Sequence, residues 1–427
     1  MLKKPELLAP AGSLKHLQMA LDFGADAVYA GVPKWSLRVR GNGFVRDDFE
    51  KGIAYAHSLG KKVHAVLNII PHVSRTKGFV KILDEMAALK PDAFIMGDPG
   101  LIDMVRERHP EIPIHLSVQA NTVNAGSVKF WQKVGLKRCI LARELSITEI
   151  DMIKQACPDM EVEVFIHGAL CIAVSGRCLI SGFLAHRDAN IGACNNSCRY
   201  GFKVRNVHCA HSQEFDDPTS LSMQMQETLH HPNEWFDMEE DQNGSYLMNS
   251  KDLCALPVLD KLIKAGVDSL KIEGRSRSPF YAAAISRAYR LAIDAILRGE
   301  EVPQESYTIV NSIPSRGYTT GLLVPHRPDA SQDYESNAPS AGKWQIAGDI
   351  TSRDEKGRLN ITVKNRFENT SKMCLFTPQG MLPLDCSQML DDKERPLAVA
   401  PGSGYFVKVP YDKELNLNTA VLLRDDS

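Results

Sequence analysis

SLKIEGRSRSPF, residues 269–280, passes from an apolar run through Gly274 and a basic turn to Ser278 and Pro279. Ser followed by Pro is favoured at a helix N-cap and its first helical position. The stretch therefore reads as a strand feeding a helix, and the Ala-rich sequence beyond carries that helix to about Arg298. Seven earlier runs share its aliphatic character: ELLAP (6–10), AVYAG (27–31), KVHAVLN (62–68), AFIMG (93–97), PIHLSVQ (113–119), CILAREL (139–145) and VEVFIHG (162–168). Among these seven, successive starts lie 20 to 35 residues apart, the rhythm of strand-helix units that build a parallel sheet. The intervening segments carry helix signals. Ser146 and Glu149 form a capping-box pair ahead of Ile147, Ile150 and Ile153, and Leu14, Leu17 and Leu21 follow Ser13 at helical spacing. SLKIEG is the eighth run, and eight repeats are the count of a TIM-like (β/α)8 barrel. Periodicity alone leaves an open doubly wound sheet as the alternative.

The eighth run begins 107 residues after the seventh (162 to 269), so a long insertion, 169–250, follows strand seven. Barrel active sites are built from loops after the strands, which puts this insertion on the catalytic face. It carries four of the chain's ten cysteines, Cys171, Cys178, Cys194 and Cys198, spaced C-x6-C-x15-C-x3-C. No interval is the C-x2-C knuckle common in zinc ribbons, and the wider spacing leans towards an iron-sulfur cluster, with zinc and metal-free thiols left open. Cys209 and Cys254 are alternatives to Cys198 as fourth ligand. Cys139 and Cys157 read as core residues, and Cys374 and Cys386 as structural ones.

Composition bounds the rest. With 427 residues, 44% hydrophobic and 24% charged, the chain is expected to be globular, with no apolar run near the ~20 residues that cross a bilayer and no signal peptide at its start. The expectation is a cytoplasmic protein with no membrane partner. A net charge of −2 gives no global attraction to nucleic acid, so an RNA contact must come from local patches. Arg199, Lys203 and Arg205 form one such patch, Arg38, Arg40 and Arg46 another, whereas 212–242 holds nine acids and no Lys or Arg. The expected domains are a barrel over 1–300, a proline-rich linker over 301–343 and an alternating, turn-punctuated β-barrel-like module over 344–427.

Polar groups at strand ends supply the candidate site. Lys271 and Arg275 close the eighth strand, where barrels bind phosphate or carboxylate; pairing of Lys271 and Glu273 with each other or with neighbours inside the mouth is the alternative. Gln119 and Asn121 follow the fifth strand, Arg143 the sixth and Asn68 the third, with Glu6 in the first. Gln119 and Asn121 suit the Watson–Crick edge of a flipped base, and Tyr29 or Trp35 its face. His167 and Glu273 are the candidate catalytic groups. His167 lies four residues before Cys171, the one pairing that would suit a cysteine peptidase, and neither HExxH nor GxSxG occurs.

The run EVFIHGALCIAVSGRCLISGFLAHRDANIGACNNSCR, with ELLAPAG, DAVYAG, HLSVQAN and SLKIEGRSRS, resembles the family of collagenase-like peptidases in its tRNA-hydroxylating branch, over nearly the whole chain. That resemblance implies an oxygen-independent enzyme that forms 5-hydroxyuridine at the tRNA wobble position with prephenate as co-substrate; an electron donor is a further candidate partner. It also implies a 4Fe-4S cluster on Cys171, Cys178, Cys194 and Cys198. The alternatives are a peptidase, or a non-catalytic RNA-binding factor pinned by zinc.

Overall fold

The structure, a computed structural model, describes residues 2–37, 44–170, 251–315, 317–324, 343–417 and 419–425, with the backbone of strands at 202–206, 223–227 and 236–238. Its strands are β1 (Glu6–Ala11), β2 (Ala27–Gly31), β3 (Lys62–Leu67), β4 (Ala93–Met96), β5 (Ile114–Leu116), β6 (Arg138–Ile140), β7 (Glu161–Gly168), β8 (Phe202–Asn206), β9 (Met223–Glu227), β10 (Phe236–Met238), β11 (Asp252–Cys254) and β12 (Ser269–Ile272). Strands β1 to β7 pair in parallel in sequence order, and β12 pairs in parallel with both β7 and β1. That double pairing closes the barrel and decides against the open sheet. Each of its strands is nearly continuous in burial, as expected when helices cover one face and other strands' side chains the other.

The helices are α1 (Leu14–Asp22), α2 (Arg46–Ser58), α3 (Val73–Thr76), α4 (Phe79–Ala87), α5 (Pro99–Arg108), α6 (Ala125–Val134), α7 (Ile147–Ala156), α8 (Leu259–Lys264), α9 (Pro279–Leu297) and α10 (Gln304–Asn311). The Ser146–Glu149 capping box opens α7, and Ser278 caps α9 by accepting from the Tyr281 N–H at 3.2 Å with Pro279 in its first turn. None of the described helices is long and apolar enough to cross a membrane.

Two short elements extend the sheet beyond the barrel. β11 runs antiparallel to the end of β7, pairing Leu253 with Gly168 and Cys254 with His167, and β13 (Tyr318–Thr319) lies parallel to β11. The chain therefore leaves the barrel at Gly168 and returns beside it at Asp252. Between those points β8, β9 and β10 form an antiparallel sheet in the order β10-β9-β8. Three-residue β11 has too little pattern to be read as a strand from sequence.

The C-terminal module has β14 (Trp344–Arg353), β15 (Arg358–Val363), β16 (Phe367–Glu368), β17 (Met373–Thr377), β18 (Gly380–Leu384), β19 (Val399–Ala400), β20 (Phe406–Pro410) and β21 (Val421–Asp425). Six form an antiparallel sheet in the order β18-β17-β21-β14-β15-β20, and β16 pairs with β19. The module has its own core around Leu359, Leu375, Val409 and Leu422. It also packs on the barrel: Phe376 stacks on Phe23 at 4.9 Å and meets the edge of Phe280 at 5.5 Å, while Lys15 pairs with Asp349 at 2.9 Å.

Candidate active site at the barrel mouth

Inside the barrel the apolar wall is interrupted by a buried ionic chain. Glu6 and Arg138 are the first residues of β1 and β6, Glu163 is the third of β7 and Lys271 the third of β12. Arg138 bonds Glu6 at 2.6 Å and Glu163 at 3.0 Å, and the other Glu163 oxygen holds Lys271 Nζ at 2.6 Å. Glu163 is fully buried and Lys271 3% exposed, so this pair is screened by protein rather than water. Burial opposes charge on Glu163, but Lys271 and Arg138 outweigh it and hold the carboxyl down to about 2. Burial also lowers the Lys271 ammonium against the pull of Glu163. His64 and His115 pack edge to face beside this chain at 4.7 Å.

Above it, Lys271 Nζ sits 4.3 Å from the centre of the Tyr29 ring and 5.6 Å from that of Phe165. Arg143 stacks on Phe165 at 3.9 Å and donates to the Ala169 carbonyl at 2.8 Å. Arg275 lies 5.8 Å from the Tyr29 centroid and donates to the Leu37 carbonyl. Three cations thus frame two aromatic faces at the strand ends, an arrangement suited to a planar or carboxylate-bearing ligand. Beside Arg143 a small crevice is walled by Val164, Phe165, Leu170, Leu253 and Leu323. Asn68, Ser117 and Gln119 are buried on the same side of the barrel, after β3 and β5.

The eighth strand ends on two glycines' worth of geometry, one on each partner. Gly168 has φ +103°, and a Cβ there would lie 2.5 Å from the Glu273 carbonyl oxygen; Gly274 has φ +153°, and a Cβ would lie 2.3 Å from a Tyr281 ring carbon. Tyr281 in turn donates to the Glu273 carbonyl at 2.8 Å. Gly274→Ala is expected to destabilise the protein by roughly 2 kcal/mol or more through backbone strain plus the ring clash. Gly299→Ala, at φ +81° with nothing within 4 Å, carries the strain alone and should shift the urea midpoint less.

The sequence candidates separate into two groups. Lys271, Arg275, Arg143 and Gln119 lie on or just after barrel strand ends together with Phe165 and Tyr29. Asn121 follows in a left-handed conformation at φ 49°. Glu273 meets β7 through its backbone, its N–H donating to the His167 carbonyl at 2.8 Å. Lys271 pairs with a neighbour in the barrel, Glu163, and not with Glu273. Tyr29 offers its face to Lys271 and its hydroxyl to the Ile272 carbonyl at 2.9 Å, while Trp35 packs on Phe79 at 5.1 Å.

His167 sits apart, its ring against Tyr281, Tyr289 and Tyr318, with Nδ1 3.3 Å from the Tyr289 hydroxyl. The same hydroxyl lies 3.8 Å from Cys254 Sγ. Burial pushes the His167 imidazole down to about 3 and pushes the Cys254 thiol up. A nucleophilic thiolate paired with imidazolium needs the opposite of both shifts. Cys171, Cys178, Cys194, Cys198 and Cys209 lie outside the described residues, as do Arg38, Arg40 and Arg199. Among the described residues no cluster of three or more His, Cys, Asp or Glu could hold a metal ion. The residues that sequence reading missed are Arg138, Glu163, His64 and His115. Their signal was a polar residue inside an otherwise aliphatic run, or, for Arg138, just ahead of one.

Burial lowers the pKa of His64, His115 and His167, so each favours its neutral form more in the folded protein than in the unfolded chain. The unfolded chain takes up these protons below about pH 6.5 and the native state only at lower pH. Stability should therefore fall as pH drops from about 6.5 towards the folded values, by roughly 1 kcal/mol per pH unit for each histidine. Glu163 adds a further loss between about 4.5 and 2. Chemical denaturation at pH 7.5 and 5 measures this; equal midpoints would contradict it.

A closed (β/α)8 barrel with a cationic, aromatic-lined mouth and an appended antiparallel module defines the class of protein. Residues 12–333 match the model of peptidase family U32 and residues 342–424 that of the peptidase family U32 C-terminal domain. The chain belongs to peptidase family U32. It is 43% identical to tRNA hydroxylation protein P of Escherichia coli, over 99% of this chain and 97% of that one. It is 44% identical to tRNA hydroxylation protein P of Haemophilus influenzae, over 99% and 96%. It is also 32% identical to the 23S rRNA 5-hydroxycytidine synthase of Escherichia coli, over 84% of this chain and 48% of that one.

Proposed function

We propose that this chain is an RNA-modifying enzyme that hydroxylates tRNA. The observation that carries the reading is end-to-end similarity to two proteins named for tRNA hydroxylation, at 43% and 44% identity. A relative named for hydroxylating a ribosomal cytidine extends the same chemistry to a second pyrimidine. In finer terms, the product is 5-hydroxyuridine at the wobble position, prephenate is the co-substrate, and an electron donor is the third partner. The site chemistry supports this: Lys271, Arg143 and Arg275 can meet the carboxylates of a prephenate-like dianion, and the Tyr29 and Phe165 faces keep its ring out of water.

Cys171, Cys178, Cys194 and Cys198 would hold a 4Fe-4S cluster. The donor set fits, being four thiols on a segment that starts directly after β7, and the backbone returns beside that strand at β11. A bound cluster supplies one-electron redox chemistry. The chain's own groups bind and orient: Glu163 keeps Lys271 in place, Phe165 keeps Arg143 flat, and the loop through Leu37 is tied to Arg275 and Asn68. Proteolysis finds no support in the His167–Tyr289–Cys254 cluster, where both shifts run against a thiolate pair.

Two measurements test the reading. Deleting the gene should remove 5-hydroxyuridine derivatives from tRNA nucleosides weighed by mass spectrometry, and unchanged levels would refute it. Anaerobically purified protein should contain about four iron and four sulfide per chain, with loss on Cys178→Ser. Protein free of iron would refute the cluster.

A further inference from the structure

The mouth contains a relay of side-chain hydrogen bonds whose polarity is fixed from one end. The main-chain N–H of Leu37 donates to Asn68 Oδ1 at 3.1 Å. A backbone N–H can only donate, so the Asn68 oxygen faces it and Nδ2 faces Ser117 Oγ, at 3.2 Å. The same hydroxyl accepts from the main-chain N–H of Gln119 at 3.5 Å. With both lone pairs engaged, its one proton turns to Gln119 Oε1, also at 3.5 Å. The Gln119 amide therefore keeps Oε1 on Ser117 and turns Nε2 away from the relay. This nitrogen is buried and has no partner among the described residues, on a residue only 7% exposed. Asn121 Oδ1 and Thr122 Oγ1, two and three positions along, are buried and unpartnered in the same way. Buried donors and acceptors are normally satisfied, and a cluster of unmet ones after a barrel strand marks a place where a ligand meets them.

We propose that Gln119 Nε2 is the donor that reads the C4 carbonyl of the target pyrimidine, with Asn68 and Ser117 as positioning residues that set it to select uracil over cytosine. This rests on the RNA-hydroxylase reading above. Uracil carries an acceptor oxygen at C4 where cytosine carries an amine, so a donor locked by the relay attracts one and opposes the other. The locking matters because a free glutamine amide turns over and accepts either base.

Two variants test this by different routes. Gln119→Glu replaces the donor by an acceptor of nearly the same shape. Asn68→Asp never touches the base: its carboxylate takes the Ser117 proton, Gln119 then turns Nε2 to Ser117 Oγ, and Oε1 faces the ligand. The readouts are binding of anticodon stem-loop RNAs that differ only in uridine or cytidine at the target position, by fluorescence anisotropy, and the hydroxylation rate on each. The wild type should favour uridine by about 10-fold or more, and both variants should bring the ratio to unity or invert it. Equal weakening towards both RNAs would overturn the proposal, because it is what a merely structural role gives. An unchanged ratio with a raised KM for prephenate would overturn it too, by assigning the donor to the co-substrate. Hydroxylation without any shift in ratio leaves the enzyme reading standing and removes the donor. Uridine preference that disappears in both variants, without hydroxyuridine formed by the wild type, keeps the donor and removes the enzyme reading.

Discussion

Replacing Glu163 by alanine is expected to cost the fold about 3–5 kcal/mol, because it leaves an ammonium and a guanidinium facing each other in the buried barrel interior. Glu163 has no exposed surface and bonds Lys271 at 2.6 Å and Arg138 at 3.0 Å. Arg138 keeps Glu6 at 2.6 Å and Glu161 at 2.8 Å, so the larger part of the loss falls on Lys271. Glu163→Gln keeps an acceptor for one partner and should cost roughly 1–3 kcal/mol. The urea midpoint of each variant measures the order; if Glu163→Ala and Glu163→Gln unfold together with the wild type, the chain is not an ionic support. A paired substitution, Glu163→Leu with Lys271→Met, should regain much of the stability, since apolar replacement of a buried pair is often neutral or better.

Lys271→Met is expected to remove hydroxylation, lowering kcat/KM by about 100-fold or more, if the ammonium meets a developing or fixed negative charge on a ligand at the mouth. It should do so with a smaller stability cost than Glu163→Ala, because the Glu163 carboxylate keeps Arg138. The comparison separates support from function. The paired variant restores folding and leaves activity lost, whereas a purely structural Lys271 would recover activity along with stability.

The barrel was legible because its strands are aliphatic runs at regular intervals, and because Ser278-Pro279 and the Ser146–Glu149 box mark helix starts by local chemistry alone. The boundaries were less so. PIHLSVQ reads as one strand, but β5 stops at Leu116 because Ser117 caps a short 3-10 turn over Val118–Ala120. CILAREL likewise contributes only its first residues, β6 ending at Ile140: the Leu141 N–H still bonds the Glu163 carbonyl within β7, but the Ala142 N–H turns to the Thr122 carbonyl in the loop. The site was legible in Lys271, Arg143, Arg275 and Gln119, which stand at strand ends where barrels place function. Their supports were not. Glu163, Arg138 and His64 sit on strands where alternation is hidden by burial on both faces, and only closure of the barrel brings residues from β1, β6, β7 and β12 together. Pairing of Lys271 with Glu163 instead of Glu273 follows from that closure, since the two sit on adjacent paired strands.

The central claim, tRNA hydroxylation by this chain, is tested most directly by reconstitution. Anaerobically purified protein is incubated with prephenate, a low-potential reductant and tRNA from cells lacking the gene, and the nucleosides are weighed. The account predicts uridine at the wobble position heavier by one oxygen atom, formed by the wild type and not by Lys271→Met or Cys178→Ser. Iron-loaded, folded protein that leaves every tRNA nucleoside at its starting mass would contradict it.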